Sequence, residues 1–319
     1  MKNCLFVLFL FSIHSKIIAQ LNWKNVSDSF GNVPKSFQIF FTNDSLDHKP
    51  NKAYYVKINL KDNKLDFDID TTLKRRLTPT QFFEKNNNPL LVVNASFFTF
   101  NTHQNVNAVV KNKKLVGHNL HNTPLKGKDT FTYNHTFGSA IGIYKNRTAD
   151  VAWLFTDSSN KKAFAFQSVI KPFKDSNNHL SISQIPVFQN NPYKKWKVKT
   201  AVGGGPVLLQ NGEIAITNNE EHKFTGKQIN DRHPRTAMGY TFNNELIILV
   251  VEGRNKGIAD GATLTQMAKI FKDLGCKEAL NLDGGGSSCM LINGKPTIKV
   301  SDKEGERPVP CVFMVNQKN

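Results

Sequence analysis

The sequence predicts an α/β fold, with a mixed α+β sheet, several hairpins and a few helices in a single domain. Three observations predict it. One segment has apolar residues at the spacing of an amphipathic helix, several apolar runs rich in β-branched residues are typical of buried strands, and Asn-Gly pairs separate short apolar segments as they do in hairpins. The 319 residues of the chain are enough for one large domain with a buried core.

The N-terminus has the three parts of a secretory signal. Lys2 supplies positive charge, residues 5–11 form a short apolar run, and the segment ends in a small residue before Gln20. The apolar run is too short to span a bilayer, and no later segment is apolar for long enough to be transmembrane. We therefore expect residues 1–19 to be a signal peptide, residues 20–319 to form the domain, and the protein to be secreted or periplasmic.

The first part of the domain is predicted to hold strands and one short helix. Residues 53–69 alternate apolar and polar side chains, which predicts two strands paired across a turn at residues 61–64. Thr78 and Gln81 have the spacing of a capping box, which predicts the start of a helix. Residues 90–93 are a continuous apolar run and predict a buried strand.

The rest of the domain is predicted to alternate hairpins with one long helix. Four hairpins are indicated by apolar segments on both sides of a turn. They pair residues 108–110 with 115–116, 206–209 with 213–216, 237–242 with 246–251, and 289–292 with 296–300. An amphipathic helix is predicted from its N-cap Thr263 to its C-terminal stop Gly275. A strand over residues 279–283 follows and leads into a glycine-rich run.

The formal charge of +17 is compatible with an anionic partner, namely an acidic polysaccharide, a phosphorylated glycan or an anionic envelope, and equally with a solvated cationic surface that has no such partner. The lysines are scattered, and no RNP, zinc-finger or helix-turn-helix pattern accompanies them, so we expect no nucleic-acid partner. Cys276, Cys289 and Cys311 have no CxxC spacing and no histidine at ligand spacing. They imply neither a zinc site nor a disulfide framework, although one pair could form in an oxidising compartment. We expect no cofactor and no bound metal.

The densest group of polar residues is the run Asn-Leu-Asp-Gly-Gly-Gly-Ser-Ser at residues 281–288. Three consecutive glycines leave several backbone N–H groups free to hold a phosphate or another anion. Asp283 closes the preceding strand, so its carboxylate is expected at the edge of such a site. The alternative is a tight turn that Asp283 caps. A P-loop is excluded, because no Gly-Lys-Ser or Gly-Lys-Thr sequence follows the glycines.

Glu252 closes its apolar strand in the same way as Asp283. Two carboxylates at neighbouring strand ends are what glycoside hydrolysis requires, one as a general acid and the other as a base or nucleophile. We expect both carboxylates to face one cavity. The alternative for Glu252 is an ordinary ion pair with Arg254 or Arg235.

Three arginines, Arg235, Arg254 and Arg307, lie at predicted strand boundaries. The planar guanidinium group suits phosphate oxygens, so the three could form an anion clamp. His233, close to Arg235, is a candidate proton carrier. The alternative for the arginines is surface salt bridging with acidic residues near the C-terminus, namely Asp302, Glu304 and Glu306.

Several of these segments form an ordered series along the chain. They are Val-Asn-Ala-Ser-Phe-Phe at residues 93–98, Gly-Pro-Val-Leu at 205–208, Pro-Arg-Thr-Ala-Met-Gly at 234–239, the run at 281–288, and Ser-Asp at 301–302 followed by Gly-Glu-Arg-Pro-Val at 305–309. Together they resemble the phosphodiester glycosidase family, best over residues 203–315. The resemblance implies an α/β domain whose active centre is built from these loops.

The resemblance also implies a catalytic domain that cleaves a sugar–phosphate diester at the anomeric carbon, giving a free sugar and a phosphomonoester. Glu252 and Asp283 are then the candidate catalytic residues. The candidate substrate-binding residues are Asn94, Arg235, Asn281, Gly284, Gly285, Gly286, Ser287 and Arg307. Two alternatives stay open: an exported glycosidase that acts on envelope or exopolysaccharide without phosphate, and a non-catalytic module that binds anionic glycans.

Overall fold

The fold consists mainly of β-strands. The computed structural model describes residues 20–182 and 192–318, so the signal peptide predicted over residues 1–19 lies outside the described residues. Within them the chain forms 23 strands and three α-helices. The helices are α1 (Pro79–Lys85), α2 (Asn218–Glu221) and α3 (Leu264–Asp273). None of the helices in these two segments is long and apolar enough to cross a membrane.

The largest sheet has eight strands, and each neighbouring pair in it is antiparallel. With strands numbered along the chain, its spatial order is β1 (Lys24–Asn25), β2 (Phe37–Thr42), β3 (Ala53–Asn59), β19 (Glu245–Val251), β18 (Arg235–Thr241), β20 (Cys276–Asn281), β16 (Val207–Gln210) and β17 (Glu213–Ile214).

Three smaller antiparallel sheets complete the fold. A five-stranded sheet has the order β22 (Lys295–Pro296), β21 (Met290–Ile292), β5 (Leu91–Asn94), β23 (Cys311–Gln317) and β4 (Leu65–Thr71). A seven-stranded sheet has the order β14 (Tyr193–Lys195), β12 (Phe164–Phe166), β11 (Ala149–Phe155), β10 (Ser139–Ile143), β15 (Thr200–Gly203), β6 (Val109–Lys111) and β7 (Lys114–Gly117). A three-stranded sheet contains β13 (Phe173–Asp175), β9 (Tyr133–His135) and β8 (Asn122–Pro124).

The predicted α/β class is wrong, because the described chain forms antiparallel sheets with three short helices. An α/β fold requires parallel strands joined by crossover helices. The apolar runs that suggested such strands have another cause, burial on both faces of the eight-stranded sheet. In β19, Leu246, Ile248 and Val250 enter a core shared with the other sheets. Ile247 and Leu249 enter the core that contains α3.

Most of the predicted local structure is confirmed. The four hairpins over residues 108–300 form as β6–β7, β16–β17, β18–β19 and β21–β22. Helices α1 and α3 begin at the predicted capping boxes of Thr78 and Thr263. The hairpin predicted across residues 61–64 is wrong, because β3 pairs with β2 and β19 whereas β4 pairs with β23. Alternating side chains indicate which face of a strand is buried, but not which strand lies beside it.

Helix α3 covers one face of the eight-stranded sheet. In its first turn, Gln266 N–H donates to the Thr263 hydroxyl, and Thr263 N–H donates to the Gln266 side chain. Phe271 is fully buried and belongs to the same core as Leu249 of β19 and Ala279 of β20. The helix therefore supports the strands that lead into the candidate site.

We expect Phe271→Ala to lower the free energy of unfolding by about 3–5 kcal/mol, the usual effect of truncating a fully buried phenylalanine. Phe242→Ala is the matched control, since that phenylalanine is 66% exposed, and it should change the free energy by less than about 0.5 kcal/mol. Urea unfolding followed by circular dichroism measures both. Equal effects of the two substitutions would contradict the packing of α3 on the sheet.

Candidate active site

The candidate site lies at one edge of the eight-stranded sheet. Strands β19 and β20 flank β18 and both run antiparallel to it, so they end at the edge where β18 begins. Arg235, the first residue of β18, pairs with Val251 at the end of β19. Asn281, at the end of β20, pairs with Ala237. The loops that follow these two apolar strands therefore start from the same edge.

Asn94 ties this edge to the five-stranded sheet. It is fully buried at the end of β5. Its Nδ2 donates to the Asp283 carbonyl at 2.7 Å, and its Oδ1 accepts from the Thr236 hydroxyl at 2.8 Å and from Cys289 N–H at 3.1 Å. The backbone N–H of Asp283 donates to the Ala95 carbonyl at 3.0 Å. Asn94 thus fixes the loop after β20 and does not itself line the cleft.

A cleft of about 320 Å³ opens beside this loop. Six candidate residues from the sequence line it together: Arg235, Asp283, Gly284, Gly285, Gly286 and Arg307. The other lining residues are Phe97, Phe224, Gln228, Asp231, His233 and Arg254. Four candidates, Asn94, Glu252, Asn281 and Ser287, are not among the lining residues.

Asp283 provides a carboxyl group with a raised pKa. Burial raises the pKa of Asp283 to about 6, even though the Ser287 hydroxyl, the Arg307 guanidinium and the Gly284 N–H all favour the charged form. Desolvation destabilises a carboxylate, so it dominates when the opposing contacts are few. Asp283 consequently changes its protonation state close to neutral pH.

The glycine run at residues 284–286 forms a tight turn that lies close to the neighbouring segments of the cleft. Residues 285–287 adopt one turn of 3-10 helix. Gly285 has a φ of 61°, a conformation that favours glycine. Two of the N–H groups expected to hold an anion are already engaged, because Gly285 N–H donates to the Pro234 carbonyl at 2.8 Å and Gly284 N–H interacts with the Asp283 carboxylate. The glycine run instead lines the cleft with backbone atoms, which a ligand can approach closely.

Arg235 is a buried arginine held in a fixed orientation. Its Nε donates to the Ala262 carbonyl and its Nη2 to the Asp231 carbonyl, both at 2.9 Å. The guanidinium also lies over the ring of Phe224, 5.7 Å from its centroid. Burial lowers the pKa of Arg235 to about 10, which still leaves it charged at neutral pH. It is therefore a permanent positive charge in the wall of the cleft.

Arg307 and Arg254 bring two further guanidinium groups to the cleft. Arg307 makes a paired contact with Asp302, at 2.7 and 2.9 Å, so the salt-bridge alternative holds for this arginine. A Cβ on Gly286 would lie 2.1 Å from an atom of each partner of that pair, so a larger residue there would displace the Arg307 and Asp302 side chains. Arg254 Nη2 lies 3.4 Å from His233 Nδ1. Arg254 makes no ion pair with any described residue, so its charge is available to a ligand.

Glu252 does not face the cleft that Asp283 lines, contrary to the expectation of a shared cavity. Its side chain is 1% exposed and forms an ion pair with Lys52 at 3.4 Å. The carboxylate also accepts bonds from Asn255 Nδ2 at 2.8 Å and from Lys299 N–H at 3.0 Å. Glu252 therefore forms an ion pair, as the alternative predicted, but its partner is Lys52 and not Arg254 or Arg235.

Asn281 and Ser287 are both buried behind the cleft wall. Asn281 Nδ2 donates to the Gly205 carbonyl at 3.0 Å, and the Asn281 carbonyl accepts from Gly205 N–H at 2.7 Å. These contacts attach the end of β20 to the loop before β16. Asn281 thus acts on the site through the backbone that precedes Asp283.

Several lining residues were not predicted as candidates. Phe97 and Phe224 pack edge to face, with centroids 6.1 Å apart, and form an aromatic wall. Asp231 belongs to the polar segment before β18, whose density of charged residues was the available signal. His233, the candidate proton carrier, lies in the same segment and also lines the cleft. Burial, with help from Arg235 and Arg254, lowers the pKa of His233, so it is neutral at pH 7. No sequence pattern pointed to Phe224.

Neither metal ligands nor a disulfide accompany these groups in the part of the chain that the structure describes. Across residues 20–182 and 192–318, no three metal-binding side chains come together. Cys276, Cys289 and Cys311 are buried free thiols.

Parts of the chain are similar to curated proteins. A Bacillus subtilis (strain 168) relative, the SPbeta prophage-derived uncharacterized protein YomE, is 38% identical over 78 residues, which cover 24% of this chain and 12% of the relative. The mouse N-acetylglucosamine-1-phosphodiester alpha-N-acetylglucosaminidase is 33% identical over 95 residues, covering 27% of this chain and 18% of that protein. The matches thus span less than a fifth of either relative.

The fold is also similar to a solved structure. The zebrafish N-acetylglucosamine-1-phosphodiester alpha-N-acetylglucosaminidase catalytic domain, auto-inhibited by its pro-peptide, has a TM-score of 0.61 and 19% sequence identity. The similarity covers 94% of this chain and 89% of that one. In addition, residues 87–316 match the sequence profile of the phosphodiester glycosidases. Because that match covers well over half of the chain, the protein belongs to the phosphodiester glycosidase family.

Proposed function

We propose that the protein is a hydrolase that cleaves a glycosyl phosphodiester to a free sugar and a phosphomonoester. The observation that carries the proposal is the meeting, in one cleft, of the Asp283 carboxyl group with its raised pKa and three guanidinium groups. A phosphodiester carries a negative charge beside the bond that breaks, whereas a plain glycoside carries none. The arginines therefore favour the phosphodiester.

The leaving group of this reaction is a phosphomonoester, whose second pKa is about 6. Such a group departs as a stable anion and needs little protonation by a general acid. Arg254, which lines the cleft and has no ion-pair partner among the described residues, would neutralise the charge that develops on it, and the Arg307–Asp302 pair lies beside it. One carboxylate is then sufficient, which is compatible with the position of Glu252 outside the cleft.

In this proposal Asp283 is the base that removes a proton from the attacking water. A pKa of about 6 leaves the carboxyl mostly ionised at neutral pH and keeps its basicity near the working pH, where base catalysis is efficient. Water attacks the anomeric carbon, and the bond between that carbon and the phosphate oxygen breaks. Its electron pair leaves with the phosphomonoester, and the proton passes from Asp283 to solvent.

The named relatives support the same substrate class. The mouse protein and the zebrafish catalytic domain are both named for a 1-phosphodiester of N-acetylglucosamine. For this chain we propose only the substrate class, a sugar 1-phosphodiester, and not the identity of the sugar. Phe97 and Phe224 offer an apolar wall against which the face of a sugar ring can pack.

We expect the wild-type protein to release sugar from a sugar 1-phosphodiester far faster than from a plain glycoside of the same sugar. Asp283→Asn should lower kcat by at least about a hundredfold, the usual scale for loss of a general base. Because the ionised carboxyl is required, kcat/KM should rise with pH until about 6 and then level off. A reducing-sugar assay with both substrate types, across the acid and neutral range, measures these effects.

Glu252→Gln is the control for this experiment, because it removes a carboxylate outside the cleft. Loss of a buried charged acceptor should lower the free energy of unfolding by about 1–3 kcal/mol, while the folded protein keeps the wild-type kcat. Turnover of plain glycosides alone would contradict the proposal and favour a polysaccharide glycosidase. Binding of anionic glycans without turnover of any substrate would favour a non-catalytic module.

We expect Arg254→Ala to lower kcat/KM for the phosphodiester by about tenfold or more, since a hydrogen bond to a charged group contributes about 1.5–3 kcal/mol. Arg75→Ala removes the same charge from an exposed arginine that does not line the cleft, so it is the matched control and should leave kcat/KM unchanged. The same reducing-sugar assay, with the phosphodiester as substrate, measures both. An equal loss in the two variants would show that only net charge matters.

We also propose that the protein is exported, because residues 1–19 have the pattern of a secretory signal. The mature protein should then begin at Gln20 and be found in the periplasm or the medium. Mass spectrometry of the N-terminal peptide, after fractionation of the cells, tests this. An intact N-terminus on protein confined to the cytosol would refute export.

A further inference from the structure

A second groove, of about 900 Å³, opens at the opposite end of the strands that carry the cleft. Tyr240 of β18 and Glu278 of β20 both line it and are paired across the two strands. Tyr240 follows Arg235 by five positions in the same strand, which separates the groove from the cleft by about 17 Å. The groove is thus a separate feature of the surface.

The floor of the groove contains two carboxylates. Glu278 Oε2 accepts bonds from the Tyr240 hydroxyl at 2.5 Å and from Val151 N–H at 3.0 Å. Asp150 Oδ2 accepts from Trp196 Nε1 at 2.7 Å, among other donors. All these bonds end on one oxygen of each carboxylate. The other oxygen of each accepts no hydrogen bond from a described residue, so it can accept one from a ligand.

The rim of the groove is strongly basic. Four lysines line it: Lys194, Lys195, Lys197 and Lys277. Within the two described segments, none of them forms an ion pair with an acidic residue. Three of them are exposed and Lys277 is half-buried. Their ammonium groups therefore form a patch of positive charge above a floor of hydrogen-bond acceptors.

This arrangement selects one class of ligand. Acceptors on the floor require a ligand that donates hydrogen bonds, as sugar hydroxyls do. Ammonium groups on the rim require negative charge on the same ligand. A DNA strand supplies the negative charge, but its deoxyribose rings have no free hydroxyl groups to donate to the floor. A glycan that carries anionic groups can donate hydrogen bonds to the floor and place negative charge beside the lysines of the rim.

We propose that this groove is a non-catalytic binding site for an anionic glycan, with sugar hydroxyls on Glu278 and Asp150 and the anionic groups on the lysines. Such a site would hold the protein on acidic polysaccharide independently of the cleft. The proposal does not depend on the hydrolytic activity, since no groove residue lines the cleft.

The test is calorimetric titration of the full chain with an oligogalacturonate, whose uronic acids supply both hydroxyls and carboxylates. We compare the wild type with a triple variant, Lys194→Ala, Lys197→Ala and Lys277→Ala. The triple variant should bind about tenfold more weakly, because each exposed ion pair contributes modestly. A neutral oligosaccharide of the same length should bind more weakly than the oligogalacturonate to the wild type.

A second triple variant has the same net charge as the first but keeps all four lysines of the groove. It carries Lys24→Ala, Lys35→Ala and Lys49→Ala, three exposed lysines that do not line the groove. We expect it, and Asp283→Asn, to bind as the wild type does. Equal weakening in both triple variants, loss of binding in Asp283→Asn, or tighter binding of single-stranded DNA than of the glycan would each overturn the proposal.

Discussion

The side chain of Asn94 joins the two sheets between which the candidate site forms. One amide reaches the strand that begins with Arg235, the loop that carries Asp283 and the backbone of Cys289. The chain passes from the eight-stranded sheet to the five-stranded sheet within this loop, between β20 and β21. The loop that carries the glycine run is therefore anchored by a buried amide that does not itself line the cleft.

Local features of this fold could be predicted because their causes are local. A capping box needs only Thr263 and Gln266, and a hairpin needs a turn and two adjoining segments. The fold class could not be predicted in the same way. The apolar run of β19 is buried on one face by α3 and on the other by a second core, and a sequence does not distinguish this sandwich from a parallel sheet with helices on both sides.

In the candidate site, too, features with local causes could be predicted from the sequence, whereas features that depend on tertiary contacts could not. Strand ends placed Glu252 and Asp283 at one edge, which sequence patterns could indicate. The direction of each side chain depended on distant partners, since Lys52 and Lys299 N–H hold Glu252 away from the cleft. The glycine pattern predicts an anion nest, yet the N–H groups of Gly284 and Gly285 are engaged within the protein, and Gly286 lies directly against the Arg307–Asp302 pair. Phe224 reaches the cleft from a segment without any pattern, so only tertiary structure reveals it.

The position of β5 also sets an order of events as the chain is made. Asn94 and Asp283 are 189 residues apart, and β5 lies between β21 and β23, both of which belong to the last part of the chain. While synthesis is incomplete, β5 has no neighbour on either side. A strand with two open edges is a template for association with other chains, and contacts this distant in sequence form late. The strand that anchors the finished cleft is therefore also exposed to misassembly while the chain is being made.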